Sequence, residues 1–554
     1  MIKMTIDNES NIVNSSLWAA YGDALGFITE LADKNMLVKR TGKNTVTGLV
    51  EWQRKVGGMY GPIVSLPQGA YSDDTQLRLS TARSINLNNY FDINAFSKIE
   101  IPVWSSYALG AGIGSKLAAE SLGKKSIAWY NNFYQTKKSR YVDSGGNGAA
   151  MRIQPHVWAS ITPKQPESFL LDVVKNSLCT HGHPRAIAGA VFHALCLSYV
   201  IVEKEIPCVR EARSFSKWIK DIPSYIRSDI NLSTAWVPMY EAQSDSFLEE
   251  SYDNVYQEIQ QLLNIVEKWK QTGDFSYTSL VNDLDLSNKA IRGSGTLTAV
   301  GALAASYLNR EDLPALMVDI ANQLGTDTDS IATMVGALRG YIQGSQPPQN
   351  VQDQTYLIYD AQRLNRISKN EEKNNFRYPD INTWKTPTSS LDFLGMQDNT
   401  PFLPPFGSVD SISDEFRSNS TDSYNYFYQW VRSDFNQSFL VKRRKDSSLK
   451  PIDSALLFEE VGTSKQEVGQ NKKIDAPSIS HRPHLDSQVE IGFHNNGDSV
   501  DLDELTSQAI QSNFNEALIG QHLIKVSREL GINSAVAYSA IISKAIVSRD
   551  KRKA

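Results

Sequence analysis

The chain has 554 residues, more than a single hydrophobic core of roughly 250–300 residues accommodates, so more than one unit is expected. Hydrophobic residues make up 41% and charged residues 21%, a globular balance that excludes a wholly disordered or fibrous chain. A formal net charge of -5 gives no global reason to expect a nucleic-acid partner, the opening MIKMTIDNES lacks the apolar stretch of a secretion signal, and no run reads as a membrane span, so a cytoplasmic protein is expected.

Helical spacing of apolar residues dominates from about residue 12 to about 345, which predicts an all-α bundle. The first helix carries Leu17, Tyr21, Leu25, Ile28 and Leu31 on one stripe, with Asn14 or Ser15 as its cap. Asp23 and Glu30, seven positions apart, fall within about 20° of one another on that helix. Gly22 and Gly26 each disfavour a helix by roughly 1 kcal/mol relative to Ala, which points to a close approach by another backbone or a ligand. Ser72-Asp73-Asp74-Thr75 stands immediately before an apolar helical run, and Gly146-Asn147-Gly148-Ala149-Ala150-Met151-Arg152 reads as a glycine-rich turn entering a helix. Ala186 to Val200, Gly301 to Leu308 and Ile331 to Tyr341 are apolar enough for central helices, and residues 205–290 read as a peripheral helical excursion. Gly325-Thr326-Asp327-Thr328-Asp329-Ser330 precedes the last of these central helices, so residues 1–390 are taken as one unit. Pro401, Pro404 and Pro405 then interrupt the pattern, and residues 391–500 read as a polar linker or weakly ordered extension. Residues 501–554 read as a helical hairpin, with Gly531 as a stop and Asn533 as a new start.

Four Asp residues with interleaved hydroxyls have two readings. Each segment alone is a helix cap, in which Ser, Thr and Asp accept hydrogen bonds from free N–H groups and the helix dipole favours acids. Together, Asp73, Asp74, Asp327 and Asp329 supply the hard oxygen donors that Mg²⁺ or Mn²⁺ prefers, and a cation explains how neighbouring carboxylates tolerate one another. His181 and His183 lack further His or Cys at useful spacing, so zinc is disfavoured, and Cys179, Cys196 and Cys208 read as small buried hydrophobes. The short basic runs Lys442 to Lys445 and Lys551 to Lys553 receive no function.

The ordered set Gly22-Asp23-Ala24-Leu25-Gly26, Ser72 to Thr75, Gly146 to Arg152, Thr180-His181-Gly182-His183-Pro184 and Gly325 to Gly340 resembles the ADP-ribosylglycohydrolase family, of the dinitrogenase reductase-activating type. The resemblance covers about residues 12 to 345. It implies an all-α fold with a cleft for two Mg²⁺ ions, Mn²⁺ being the alternative, and metal ligands at Ser72, Asp73, Asp74, Asp327, Asp329 and Ser330. Ser72 and Ser330 stand where the family pattern usually has Thr, a change that keeps the oxygen. Glu30 matches an acid that closes over the reacting ribose in some relatives; with Asp74 it is a candidate catalytic acid or base. Asp23, Gly146, Asn147, Gly148, Met151 and His181 are carried over as substrate-binding positions. The branch acting on ADP-ribosyl-arginine has an acid before an Ile-Gly pair where this chain reads Gly110-Ala111-Gly112-Ile113-Gly114, so arginine specificity is not implied.

The implied reaction is hydrolysis at the anomeric carbon of the distal ribose through an oxocarbenium-like transition state, with an ADP-ribosylated protein or other ADP-ribosyl compound as substrate. A non-catalytic ADP-ribose-binding scaffold is the rival reading, with the C-terminal extension serving a partner or self-association. All four paired Asp are present, which favours the enzyme. No GxxxxGK[ST] occurs, which excludes a P-loop nucleotide site.

Overall fold

A computed structural model describes residues 8–58, 60–137, 139–308, 312–417, 426–445, 448–452 and 501–553. Backbone proximity divides the chain into Met1–Glu459 and Glu460–Ala554. The chain is 56% helical, in keeping with the expected class.

In the first unit, α1 (Asn8–Thr29) and β1 (Trp52–Lys55) with β2 (Ile63–Leu66) precede α2 (Asp73–Arg83). Helices α3 (Pro184–Glu203), α4 (Leu248–Gln271), α5 (Gly295–Ala305) and α6 (Thr328–Gln343) follow, then α7 (Gln354–Ser368), with α3, α5 and α6 the central ones. The cap expected at Asn14 or Ser15 is not there: both are buried inside α1, and the Ser15 hydroxyl donates to Ala337 O at 2.6 Å. Leu31, expected on the buried stripe, lies past the helix end and is 56% exposed.

The two glycines act as the sequence implied. A Cβ on Gly22 would lie 2.4 Å from Ala332 O, and one on Gly26 would lie 2.4 Å from Thr328 O. Gly336 on α6 returns the approach, its ideal Cβ falling 2.3 Å from Trp18 O. Backbone therefore meets backbone along the α1–α6 crossing, which no larger residue permits. Helix α3 is long and apolar enough to cross a membrane, with mean hydropathy 1.8, contrary to the sequence reading. Its apolarity serves the protein core instead, since 83% of the apolar window is buried. The helices of residues 205–290 are joined to that core through Ile259, Leu263 and Val266 of α4, all buried. Cys179 and Cys196 are buried free thiols, and Cys208 is partly buried.

The extension after residue 390 differs from expectation. Residues 395–444 build an antiparallel sheet of β3 (Gly395–Gln397), β4 (Thr400–Leu403), β5 (Gly407–Ser411), β6 (Phe416–Arg417), β7 (Tyr426–Ser433) and β8 (Ser438–Arg444). The order is β8-β7-β5-β4-β3, with β6 also on β7. It packs on the helical part of the unit: Tyr107, in the turn after the helix ending at Trp104, meets Phe439 edge-on with ring centroids 4.9 Å apart. Arg83 at the end of α2, ion-paired with buried Glu100 at 2.7 Å, donates to Gln437 Oε1 at 2.6 Å. Asp353 accepts from the Tyr71 hydroxyl at 2.7 Å and from Ser438 N at 2.9 Å. Of the supposed linker, residues 453–500 lie outside the described residues.

Among its described residues, 501–553, the second unit holds three helices rather than a hairpin, α8 (Leu502–Gln511), α9 (Glu516–Glu529) and α10 (Gly531–Lys553). The additional break comes at Asn513 and Phe514, whose φ of 56° and 61° end the first helix, and Asn515 then caps α9 through Leu518 N. Leu505, Ala509, Val526, Ala535, Tyr538 and Ile542 form its small core.

Candidate active site

Helices α2 and α6 begin at one cleft because each N-terminus is held from behind by α1. Asp23, fully buried, accepts from Ser72 N at Oδ1 and from Thr75 N at Oδ2, both at 2.9 Å. Its two oxygens thus satisfy N–H groups that the first turn of α2 leaves free. Asp23 was expected to bind substrate; the structure places it behind the cleft wall, as the support of the Ser72–Thr75 turn. On the other side, the Thr328 hydroxyl donates to Gly26 O at 2.8 Å, fixing the start of α6 to α1.

With both turns fixed, residues far apart in sequence meet. Asp74 Oδ2 lies 3.4 Å from the hydroxyls of Ser72 and Ser330, the latter 256 positions away. Asp73 Oδ1 accepts from Ala111 N at 2.8 Å, and a Cβ on Gly110, at φ 89°, would fall 2.5 Å from the same oxygen. Asp329 Oδ1 accepts from Ser330 N at 3.0 Å, and Asp327 Oδ2 accepts from Asn147 Nδ2 at 3.0 Å. Asn147 is itself pinned, its backbone N–H donating to Gly293 O at 2.8 Å.

The resulting cleft encloses about 400 Å³ and is lined by Glu30, Asp73, Asp74, Gly146, Asn147, Gly148, Met151, His181, Asp327, Asp329 and Ser330. Every expected site residue except Asp23 and Ser72 therefore faces it; Ser72 is fully buried beneath Asp74. Gly146 and Gly148 keep one wall bare, and a Cβ on Gly148 would reach within 3.0 Å of His181 Cε1 and Ser115 Oγ. Ser115, Asp143, Ser144 and Gly293 also line the cleft and had no signal of their own in the sequence, though Ser144 abuts the Gly145-Gly146 pair.

Charge in the cleft is poorly compensated. Burial and the neighbouring Glu30 push Asp73 up to about 7, and burial with the surrounding acids pushes Asp74 and Asp329 well above the ordinary carboxylate range. Asp74 Oδ1 is buried without any hydrogen-bond partner. Among the described residues no three Asp, Glu, His or Cys side chains converge as a ready metal cluster; the Asp74 contacts are completed by serine hydroxyls. An orphaned carboxylate oxygen, crowded acids and an all-oxygen donor set suit a hard divalent cation. His181 has the opposite character: burial and Arg152 lower its pKa to about 3, so the ring is neutral, with Nδ1 2.7 Å from the Thr180 hydroxyl.

No curated protein matches the sequence. A solved structure of an ADP-ribosylglycohydrolase-related protein complex is similar, at 20% identity over 65% of this chain and 99% of that one, with a TM-score of 0.41. A family profile described as ADP-ribosylglycohydrolase matches residues 4–370, which span every residue of the cleft. The chain belongs to the ADP-ribosylglycohydrolase family.

Proposed function

We propose that the chain is a metal-dependent hydrolase that removes ADP-ribose from a modified target by cutting the N- or O-glycosidic bond at the anomeric carbon of the distal ribose. A glycohydrolase-type function, with ADP-ribosylated compounds as substrates in general, follows from the family. The observation that carries the finer reading is the meeting of Asp74 and Ser330 at 3.4 Å, opposite a wall of Gly146 and Gly148.

Ser72, Asp73, Asp74, Asp327, Asp329 and Ser330 are the residues that would hold two Mg²⁺ or Mn²⁺ ions. When bound, the ions would supply charge neutralisation and Lewis acidity toward the ribose oxygens. The bare glycine wall lets backbone N–H groups approach phosphate and ribose. Asn147 orients Asp327, and neutral His181 accepts or donates a hydrogen bond without adding charge. Developing positive charge at the anomeric carbon is favoured by the surrounding carboxylates. Glu30 is better placed than Asp74 to take a proton from the attacking water. Its carboxylate stands at the rim with 19% of the side chain exposed, whereas Asp74 is engaged with two serines and buried.

The test incubates the full chain with arginine-linked and serine-linked ADP-ribosylated proteins, in Mg²⁺ or EDTA, with Asp327→Asn as control, and follows free ADP-ribose. Release that needs both metal and Asp327 is the expected result. Binding of ADP-ribose without release from either substrate, or release unaffected by EDTA, would overturn the metal-hydrolase reading.

A further inference from the structure

Glu30 occupies an unusual place for a residue at the reacting centre. Glu30 is the first residue past the end of α1 at Thr29, the next residue Leu31 takes φ 52°, and no hydrogen-bond donor among the described residues reaches Glu30 Oε2. Its main chain is held by Arg40, whose Nη1 donates to Ile28 O at 2.7 Å and to Glu30 O at 3.0 Å. Among the described residues its carboxylate has one cationic neighbour within ion-pair range, Arg54 Nη1 at 3.6 Å.

Arg54 arrives from the β1–β2 hairpin. Strand alternation puts Trp52 and Arg54 on one face, and both close on Phe27, three positions before Glu30: the Trp52 ring lies 5.1 Å and the Arg54 guanidinium carbon 4.5 Å from the Phe27 centroid. Opposite Arg54 in register is Val64, fully buried. The hairpin is a two-stranded ribbon, marginal alone, and it leans on the C-terminal sheet. Trp430 Nε1 on β7 donates to Ser65 O on β2 at 3.1 Å. Near the tip, a Cβ on Gly57 would lie 2.9 Å from the Tyr428 hydroxyl, also on β7.

We propose that Arg54 is a positioning residue for Glu30, and that the sheet of residues 395–444 braces the hairpin that delivers it. The functional part rests on the hydrolase reading above; the mechanical part does not. The sheet lies beyond residue 370, where the family match ends, and it reaches the cleft rim through the hairpin.

Hydrogen exchange of a peptide covering residues 28–33, read by mass spectrometry, and steady-state release of ADP-ribose test the two parts. In Arg54→Gln, exchange in this peptide rises and kcat falls about tenfold, with KM within about twofold; Arg54→Lys, which keeps the charge, restores part of both. Trp430→Phe, which keeps an aromatic ring of smaller size and loses the indole donor, raises the same exchange by a smaller factor. In a Glu30→Gln background the Arg54→Gln change adds no further loss, because both act through one carboxylate. Equal losses in the two backgrounds, or unchanged exchange in Arg54→Gln, overturn the positioning role, and unchanged exchange in Trp430→Phe overturns the brace. If the wild type releases no ADP-ribose while exchange responds, the hydrolase reading fails and the mechanical link stands; the reverse pattern removes the link and keeps the hydrolase.

Discussion

Gly26→Ala sets two physical effects of opposite sign against each other. Helix propensity alone makes the variant more stable by about 1 kcal/mol, since Ala is the better residue in a helix interior. The α1–α6 crossing predicts the reverse: the new Cβ would fall 2.4 Å from Thr328 O, 2.5 Å from Asp329 Cα and 2.6 Å from Asp329 N. All three are main-chain atoms, so relief requires the start of α6 to move by about 1 Å rather than a side chain to rotate, which puts the overpacking loss in the upper part of the usual range, about 2–3 kcal/mol. The net expectation is a loss of about 1–2 kcal/mol, read from the urea midpoint by tryptophan fluorescence. Gly22→Ala makes the same kind of clash one turn earlier, 2.4 Å from Ala332 O, away from the acids. Both variants therefore lose stability, but only Gly26→Ala displaces Asp329, so under the proposed metal binding it alone also loses the rise in Tm expected of the wild type in Mg²⁺. A Gly26→Ala protein as stable as the wild type, or more so, would refute the close backbone contact.

Asp74→Asn removes an acid from a crowded buried set; in EDTA it is expected to stabilise the fold by about 1 kcal/mol, and the rise in Tm that the proposed metal site predicts for the wild type in Mg²⁺ is expected to be absent. Asp23→Asn leaves one of the two N–H groups of Ser72 and Thr75 without an acceptor and costs about 1–3 kcal/mol in denaturant unfolding, with metal affinity falling as the turn loosens. Burial lowers His193 to about 3, and burial with Arg152 lowers His156 to about 3, so the unfolded chain binds protons that the folded chain refuses between about pH 6.5 and 3. Stability therefore falls as pH falls through that window, by about 1.4 kcal/mol per pH unit for each histidine, and His193→Gln flattens the measured slope by one such share.

The parts of the site that the sequence revealed are those where a residue type is out of place locally. Glycine inside a helix at Gly22 and Gly26 announces a close neighbour, and alternating acids and hydroxyls at Ser72–Thr75 and Asp327–Ser330 exceed what a cap requires. Asp23 was legible as important and not as to its task, because an acid on a helix has the same spacing whether it meets a ligand or two N–H groups. Arg54 gave no signal: it is one of two adjacent cations, with Lys55, on a four-residue strand that reads as a solvated edge. The C-terminal sheet was hidden by its own regularity. Strand β7 is buried at seven of its eight positions, on both faces, so the period-two alternation that marks a half-buried strand is absent, and Pro401, Pro404 and Pro405 punctuate the short strands beside it.

That hidden sheet changes what positions the cleft. Helix α2, which carries Asp73 and Asp74, is held at its start by Asp23 and at its end by Arg83, whose guanidinium joins Glu100 to Gln437 between β7 and β8. Tyr71, one residue before Ser72, reaches Asp353, which also takes Ser438 N and so ties β8 to the same helix. The acids at the N-terminus of α2 are thus supported through buried polar contacts whose partners lie up to 354 positions away. Such contacts depend on fit and satisfaction of each donor rather than on any local pattern, which is why removing Gln437 or Ser438 would disturb the cleft although neither touches it.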